Sequence, residues 1–210
     1  VRAALEETGL PMLGLNTRRG DVAGGENGLA ALPGREAEAR AAIDDALEYA
    51  EAIGALCVHV MAGVAEGADA GRAFVANLRY ACDRAAAAGR TILIEPLNRF
   101  DAPGYFLKST EQAADLIGAI GAPNLRLMFD CYHVGRTEGD VIGRLRALRP
   151  LIGHIQFAAV PDRGPPDHGE VDYATVFAEI AALDWDMPLG AEYKPDGPTD
   201  ATLGWMTTLR

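Results

Sequence analysis

The sequence predicts an α/β fold in which a parallel sheet is covered by helices. Six short segments are almost continuously apolar, and each is separated from the next by a stretch with helical spacing or by a loop and a helix. Strands buried on both faces read in this continuous way, whereas half-solvated strands alternate. Size points the same way: 210 residues, 49% of them hydrophobic, suit one compact domain over residues 1–210 better than two. Two architectures meet these conditions, a doubly wound open sheet and a (β/α) barrel with units missing.

In chain order, a helix is expected over residues 1–8, ending at Gly9, a favourable C-cap. A strand over 10–16 (LPMLGLN) then leads into a glycine-rich loop, 20–28. A long Ala- and Glu-rich helix over 35–53 stops at Gly54 and precedes the strand 56–61 (LCVHVM). The next helix, 69–88, is closed by Gly89 and followed by the strand 91–97 (TILIEPL). Residues 110–120 read as a helix with Ser109 or Thr110 as N-cap and Gly121 as its stop. The strand 125–130 (LRLMFD), a helix over 140–148 ended by Pro150, and the strand 152–158 (IGHIQFA) come next. A helix over 173–183, the strand 188–193 (PLGAEY) and a helix beginning near Thr199 complete the series.

Composition narrows the function. A formal net charge of −11 repels phosphate backbones, so nucleic acid is not expected as a partner. No apolar run approaches the roughly 20 residues of a membrane span, so no membrane is expected either. Cys57, Cys82 and Cys131 are odd in number and lack CxxC spacing, which reads as a reduced, cytoplasmic chain. Neither GxGxxG after the first strand nor GxxxxGK[ST] occurs, which weakens a nucleotide-binding reading.

The informative feature is positional. Four consecutive strands carry a metal-competent residue at or near the C-terminal end: Glu95 in ILIEP, Asp130 in LMFDCYH, Gln156 in HIQF and Glu192 in GAEY. In a parallel barrel those ends converge on one mouth. Any one of them alone reads as readily as a helix cap or a surface residue. Together, inward-facing acids repel one another, and an isolated buried carboxylate costs several kcal/mol. A divalent cation resolves that conflict, and an all-oxygen donor set favours Mg²⁺ or Mn²⁺ over Zn²⁺.

The segments VHVMAG (58–63), ILIEPLNRFDAPGYFL (92–107), LMFDCYHVGRTEGD (127–140), IGHIQFAAVPDRGPPDHGEVDY (152–173) and GAEYKP (190–195) resemble the hydroxypyruvate isomerase family. So do NTRRGD (16–21) and GLAALPGREAEAR (28–40). That family belongs to the xylose-isomerase-like TIM-barrel superfamily. The resemblance implies a TIM-type (β/α)8 barrel, here lacking the first two strands, with six βα units present. It implies one divalent metal on Glu95, Asp130, Gln156 and Glu192. Gln156 stands where ketose epimerases of the superfamily carry a His, which argues against an epimerase.

The reaction implied interconverts hydroxypyruvate and 2-hydroxy-3-oxopropanoate through an enediolate, with Glu95 and Glu192 as the proton-transferring carboxylates. The partner is thus a small hydroxy-keto acid. His133, three residues after Asp130 and expected in the loop leaving that strand, is assigned to substrate oxygens by the same resemblance. The substrate carboxylate needs a cation, and Arg163 is the first candidate, Lys194 the second. His59 faces either the mouth or a neighbouring strand. His154, two residues before Gln156, faces the same side as it, and His168 is expected exposed or in a lid. Trp185 and Trp205 are assigned to packing or to contacts in a homo-oligomer. A 2-oxo-tetronate isomerase, a non-catalytic sugar-binding barrel and a zinc-dependent DNA-repair barrel are the competing readings. Four His and the net charge of −11 argue against the last. A full barrel of this class has eight strands. The chain is therefore expected to lack about 50 residues at its N-terminus, leaving strands 10–16 and 188–193 flanking a gap.

Overall fold

The computed structural model describes residues 1–209. Six parallel strands lie in sequence order: β1 (Gly14–Asn16), β2 (Cys57–His59), β3 (Thr91–Ile94), β4 (Leu125–Asp130), β5 (Ile152–Phe157) and β6 (Gly190–Ala191). Helices α1 (Arg2–Thr8), α2 (Glu36–Ile53), α3 (Gly67–Ala86), α4 (Thr110–Ile120), α5 (Cys131–Thr137), α6 (Val141–Leu148) and α7 (Tyr173–Ala182) accompany them. An unbroken order is that of a barrel wall, whereas a doubly wound sheet reverses at a switch point. The sheet is a partial (β/α) barrel. Its edges are β1 and β6, which do not pair with each other among the described residues.

The two-residue period of each strand sorts side chains between the helices and the barrel interior. Val58, Ile92, Ile94, Leu125, Leu127 and Phe129 belong to the main buried cluster. There they join Ile43 of α2, Phe74 and Leu78 of α3, Ile117 of α4 and Ile180 of α7. The alternate positions, Asn16, His59, Leu93, Met128, His154 and Gln156, line a cavity on the inner side. A register shift between Leu127 and Met128 gives β5 an extra residue, so that Met128 pairs with His154 and Asp130 with Gln156. This bulge keeps both polar residues of β5 on the same face as Asp130.

The helix stops expected at Gly9, Gly54 and Gly121 hold, each residue being left-handed. Three local expectations need correction. The strands expected over 10–16 and 188–193 shrink to three and two residues, because the rest of each segment is loop. The C-terminal helix is of the tighter 3-10 kind, Thr199–Thr207. The segment after β4 is helical, so His133 stands in α5 and not in a loop. Asp130 explains this: its carboxylate accepts from the Tyr132 amide at 2.8 Å and caps the first turn. Cys57, Cys82 and Cys131 are free thiols. No helix is long and apolar enough to cross a membrane among the described residues.

The glycine-rich loop folds back over the end of β2. Gly28 bridges Ala62 in antiparallel fashion, and its N–H donates to the Arg19 carbonyl at 2.8 Å. Its φ is +116°, and a Cβ there would stand 2.6 Å from the Met61 carbonyl oxygen. Gly28→Ala is therefore expected to destabilise the protein by about 1–3 kcal/mol, seen as a lower Tm in thermal unfolding. An unchanged Tm would show that the loop gives way freely.

Candidate active site

Glu95 follows the last residue of β3 and Asp130 ends β4, so the two carboxylates leave neighbouring strands at the same end of the sheet. Both are buried, at 7% and 2% exposure. His133, one turn into α5, comes back over them: its Nε2 is 3.8 Å from Glu95 Oε1 and 3.7 Å from Asp130 Oδ2. One ligand-capable atom from each of these three residues lies within 4.8 Å of the others. Burial, then the charges of Asp130 and Glu192, holds the Glu95 carboxyl well above the usual carboxylate range. Burial, then Glu192, pushes Asp130 up to about 7.

The hydrogen-bond network assigns the protons on both histidines. The main-chain N–H of Asn98 donates to His133 Nδ1 at 3.0 Å. A backbone amide can only donate, so Nδ1 is bare and the neutral ring carries its proton on Nε2. Burial, then the Arg163 charge, lowers the His133 pKa to about 3, so the ring is neutral at pH 7. Its Nε2–H thus faces the two carboxylates as a donor, and His133 is a poor metal ligand despite its place in the cluster. Asn98 Oδ1 accepts from the Phe100 and Asp101 amides, both at 3.0 Å. That turns its amide nitrogen toward Asp101 Oδ2 and His133 Nδ1. His59 Nδ1 meets Asn16 Oδ1 at 3.1 Å, which leaves its Nε2 buried and without a partner.

A metal fits this donor set on one observation. Glu95 Oε1, Asp130 Oδ2 and Gln156 Oε1 are each buried with no hydrogen-bond partner. Such atoms each lose roughly 1–3 kcal/mol unless something meets them. Gln156 pairs in register with Asp130, and its neighbour Gly190 starts β6. Glu192 lies two residues beyond Gly190, tied to the sheet by its N–H to the Phe157 carbonyl at 3.0 Å. Its side chain is half exposed, and Arg163 Nη2 donates to its Oε2 at 2.6 Å.

A cavity of about 240 Å³ collects most of the expected residues: Glu95, His59, His133, Arg163 and Glu192, with Asp101. Gln156 and His154 line the adjoining cavity of about 300 Å³, which His59 shares. Arg163 adopts a left-handed backbone, φ +60°. Its guanidinium lies over the Tyr132 ring at 5.1 Å and 4.0 Å from Asp101 Oδ2, an oxygen that also accepts from Tyr132 Oη at 2.6 Å. One expectation is not met in this geometry. Lys194 donates its main-chain N–H to the Arg163 carbonyl, but its side chain is exposed and does not line the cavity. His168 is exposed, as expected, and is held between Asp162 and Asp167 at 2.8 and 2.9 Å. Sequence reasoning missed Asn16, Arg19 and Asn27 at the mouth. Asn16 was findable, being one more polar residue at a strand end. Arg19 and Asn27 arrive only because their loop folds back.

The chain is similar to known proteins in sequence and in fold. The profile of the family described as xylose isomerase-like TIM barrel matches residues 1–209. A 2-oxo-tetronate isomerase of Cupriavidus necator is 47% identical over 98% of this chain and 81% of its own length. A hydroxypyruvate isomerase of Escherichia coli is 38% identical over 93% of this chain and 77% of its own. Among solved structures, one titled AP endonuclease, family 2, from Brucella melitensis superposes with TM-score 0.95 at 36% identity, covering 100% of this chain and 82% of that one. A 3-keto-D-glucoside 4-epimerase from E. coli, TM-score 0.85 at 22% identity, shares the fold over 99% of this chain and 83% of its own.

If the unpartnered oxygens receive a divalent cation, binding competes with protons on Glu95 and Asp130. Affinity for Mn²⁺ is then expected to strengthen as pH rises through about 7, the value to which Asp130 is raised. At about 100 times Kd the cation should stabilise the fold by about 2.7 kcal/mol. Calorimetric titration at several pH values and Tm with and without chelator test this. Asp130→Asn should abolish both effects, and a Tm indifferent to Mn²⁺ would defeat the metal assignment.

Proposed function

The chain belongs to the xylose isomerase-like TIM barrel family, and from that premise we propose that it isomerises a small 2-oxo acid, interconverting hydroxypyruvate and 2-hydroxy-3-oxopropanoate. A 2-oxo-tetronate is the second reading, favoured by the 47% identical relative. One observation carries the proposal: Glu95 and Asp130 each bury an unpartnered carboxylate oxygen in one cluster with His133, and Glu95 and His133 line a cavity together with Glu192 and Arg163. A binding module has no use for so costly a cluster. The negative field of a chain at −11 disfavours the DNA-repair reading that the Brucella title suggests.

Glu95, Asp130, Gln156 and Glu192 are assigned to hold Mg²⁺ or Mn²⁺. Such an ion would offset their charge and polarise the substrate's adjacent oxygens. The protein's own groups do the rest. The isomerisation removes a proton from the hydroxymethyl carbon of hydroxypyruvate, passes through an enediolate, and returns a proton to the neighbouring carbon. Glu192, half exposed at the mouth, is assigned one proton transfer, and Glu95, buried at the end of β3, the other. His133 offers its Nε2–H to an oxygen whose charge grows as the enediolate forms. His59, with a bare Nε2, is assigned to accept from a substrate hydroxyl. Arg163 balances the charge of Glu192 and holds its carboxylate at the mouth.

The assay is turnover of hydroxypyruvate and of 2-oxo-tetronates by the purified protein with Mg²⁺ or Mn²⁺. Inertness toward all of them would refute the reading. Glu192→Gln keeps an oxygen donor but no base, and should lower kcat by roughly 10² or more with a smaller loss of metal affinity. Because Arg163 is tied to Glu192, Arg163→Ala should both raise KM and lower kcat, a combined loss on the order of 1.5–3 kcal/mol in kcat/KM. A pure KM effect would detach Arg163 from the chemistry.

A further inference from the structure

We propose that Arg19, presented by the glycine-rich loop, is the residue that selects substrates bearing a carboxylate; the inference rests on the function proposed above. Arg19 lines the same cavity as Glu95, His133, Arg163 and Glu192. It is held at two points. Its carbonyl accepts from the Gly28 amide at 2.8 Å, and its Nε donates to Asn27 Oδ1 at 2.8 Å. Gly28 in turn bridges Ala62, so the loop that carries Arg19 is fastened to the end of β2. The far side of the loop is fastened too: the Asp21 amide donates to Glu26 Oε2 at 2.6 Å, and Glu26 pairs with Arg35.

The two cations of the cavity differ in what they already touch. Arg163 is engaged by Glu192 at 2.6 Å, by Asp101 and by the Tyr132 ring. Arg19 forms no ion pair among the described residues, although its neighbour Arg18 is paired with Asp45 at 2.7 Å. With Nε fixed on a neutral amide, both terminal nitrogens of Arg19 remain for a planar, two-oxygen acceptor. A guanidinium fork meets a carboxylate in that geometry. The acids around the cavity, Glu95, Asp101 and Glu192, would repel an anion that lacked such a counterpart. Arg19 recognises the end of the substrate that does not react, so its contribution is the same in the ground state and during proton transfer. It should therefore set KM and leave kcat alone.

The test compares wild type, Arg19→Met and Arg19→Lys. In Arg19→Met, KM for hydroxypyruvate is expected to rise at least about tenfold with kcat within about threefold, as for a lost charged hydrogen bond. Arg19→Lys should recover part of the loss, and Tm should not move in either variant. KM for dihydroxyacetone, the same ketose without the carboxylate, should not change. An active enzyme whose Arg19→Met variant keeps its KM overturns the inference while leaving the proposed reaction intact. If the wild type is inert, the reaction fails instead. Calorimetric binding of tartronate, an unreactive hydroxy diacid, then decides on Arg19 alone. Tenfold weaker binding in Arg19→Met upholds it, and equal binding overturns it.

Discussion

Glu95 and Asp130 leave adjacent strands at the same end of the sheet, and each is almost wholly removed from water. Ionising one carboxylate in such a place costs several kcal/mol, and a second beside it adds repulsion that the dry surroundings do not screen. The neighbouring side chains answer that problem. His133 aims a neutral N–H at both acids, Tyr132 and Asn98 occupy Asp101, and Arg163 faces Glu192. These partners still leave Glu95 Oε1 and Asp130 Oδ2 unsatisfied. The cation proposed above would meet these oxygens and complete the balance.

Asn98 is the hub that makes the arrangement rigid. Its main-chain amide and side-chain nitrogen meet His133, its Oδ1 caps the turn at Phe100 and Asp101, and its side-chain nitrogen reaches Asp101 as well. Through Asp101 the network continues to Tyr132 and to Arg163, and through Arg163 to Glu192. The loop after β3, the helix after β4, the loop after β5 and the end of β6 are thereby joined by polar contacts. A shift at any one would change what His133 Nδ1 accepts or the partner of Glu192, so the loops position this cluster as much as the strand ends do.

The strand ends were legible because their signal is local. An acid or amide closing an apolar run stands out in ILIEP, LMFD and HIQF, and parallel order carries it to a common mouth. Helix stops were legible for the same reason, since a left-handed cap needs only the glycine itself. The short helix after Asp130 was hidden because seven residues, one of them Gly135, give too little periodicity, and its start depends on a carboxylate that also faces the site. The trimmed β1 and β6 reflect their place at the edges of the sheet, where only one neighbour supplies hydrogen bonds. Arg19 could not be singled out from NTRRGD, where two arginines stand side by side. Only the bridge between Gly28 and Ala62, residues distant in sequence, decides which of them reaches the cavity and which pairs with Asp45.

The charge of the whole chain and the charge of the mouth act on different scales. A net −11 opposes an approaching anion at long range, but ions at physiological strength screen that field beyond about 8 Å. Inside the cavity the distances are far shorter, as the 2.6 Å contact between Arg163 and Glu192 shows, and screening has little room to act. Recognition of a small acid is therefore a local matter of which guanidinium remains unspent once the carboxylates have taken theirs. In this chain Arg163 is drawn into the balance of the buried acids. The cation left over is supplied by a loop and not by the barrel wall. Loops are where a barrel changes its substrate without disturbing its chemistry, so under the proposal made for Arg19 the reaction and the preference for an acid would be separable.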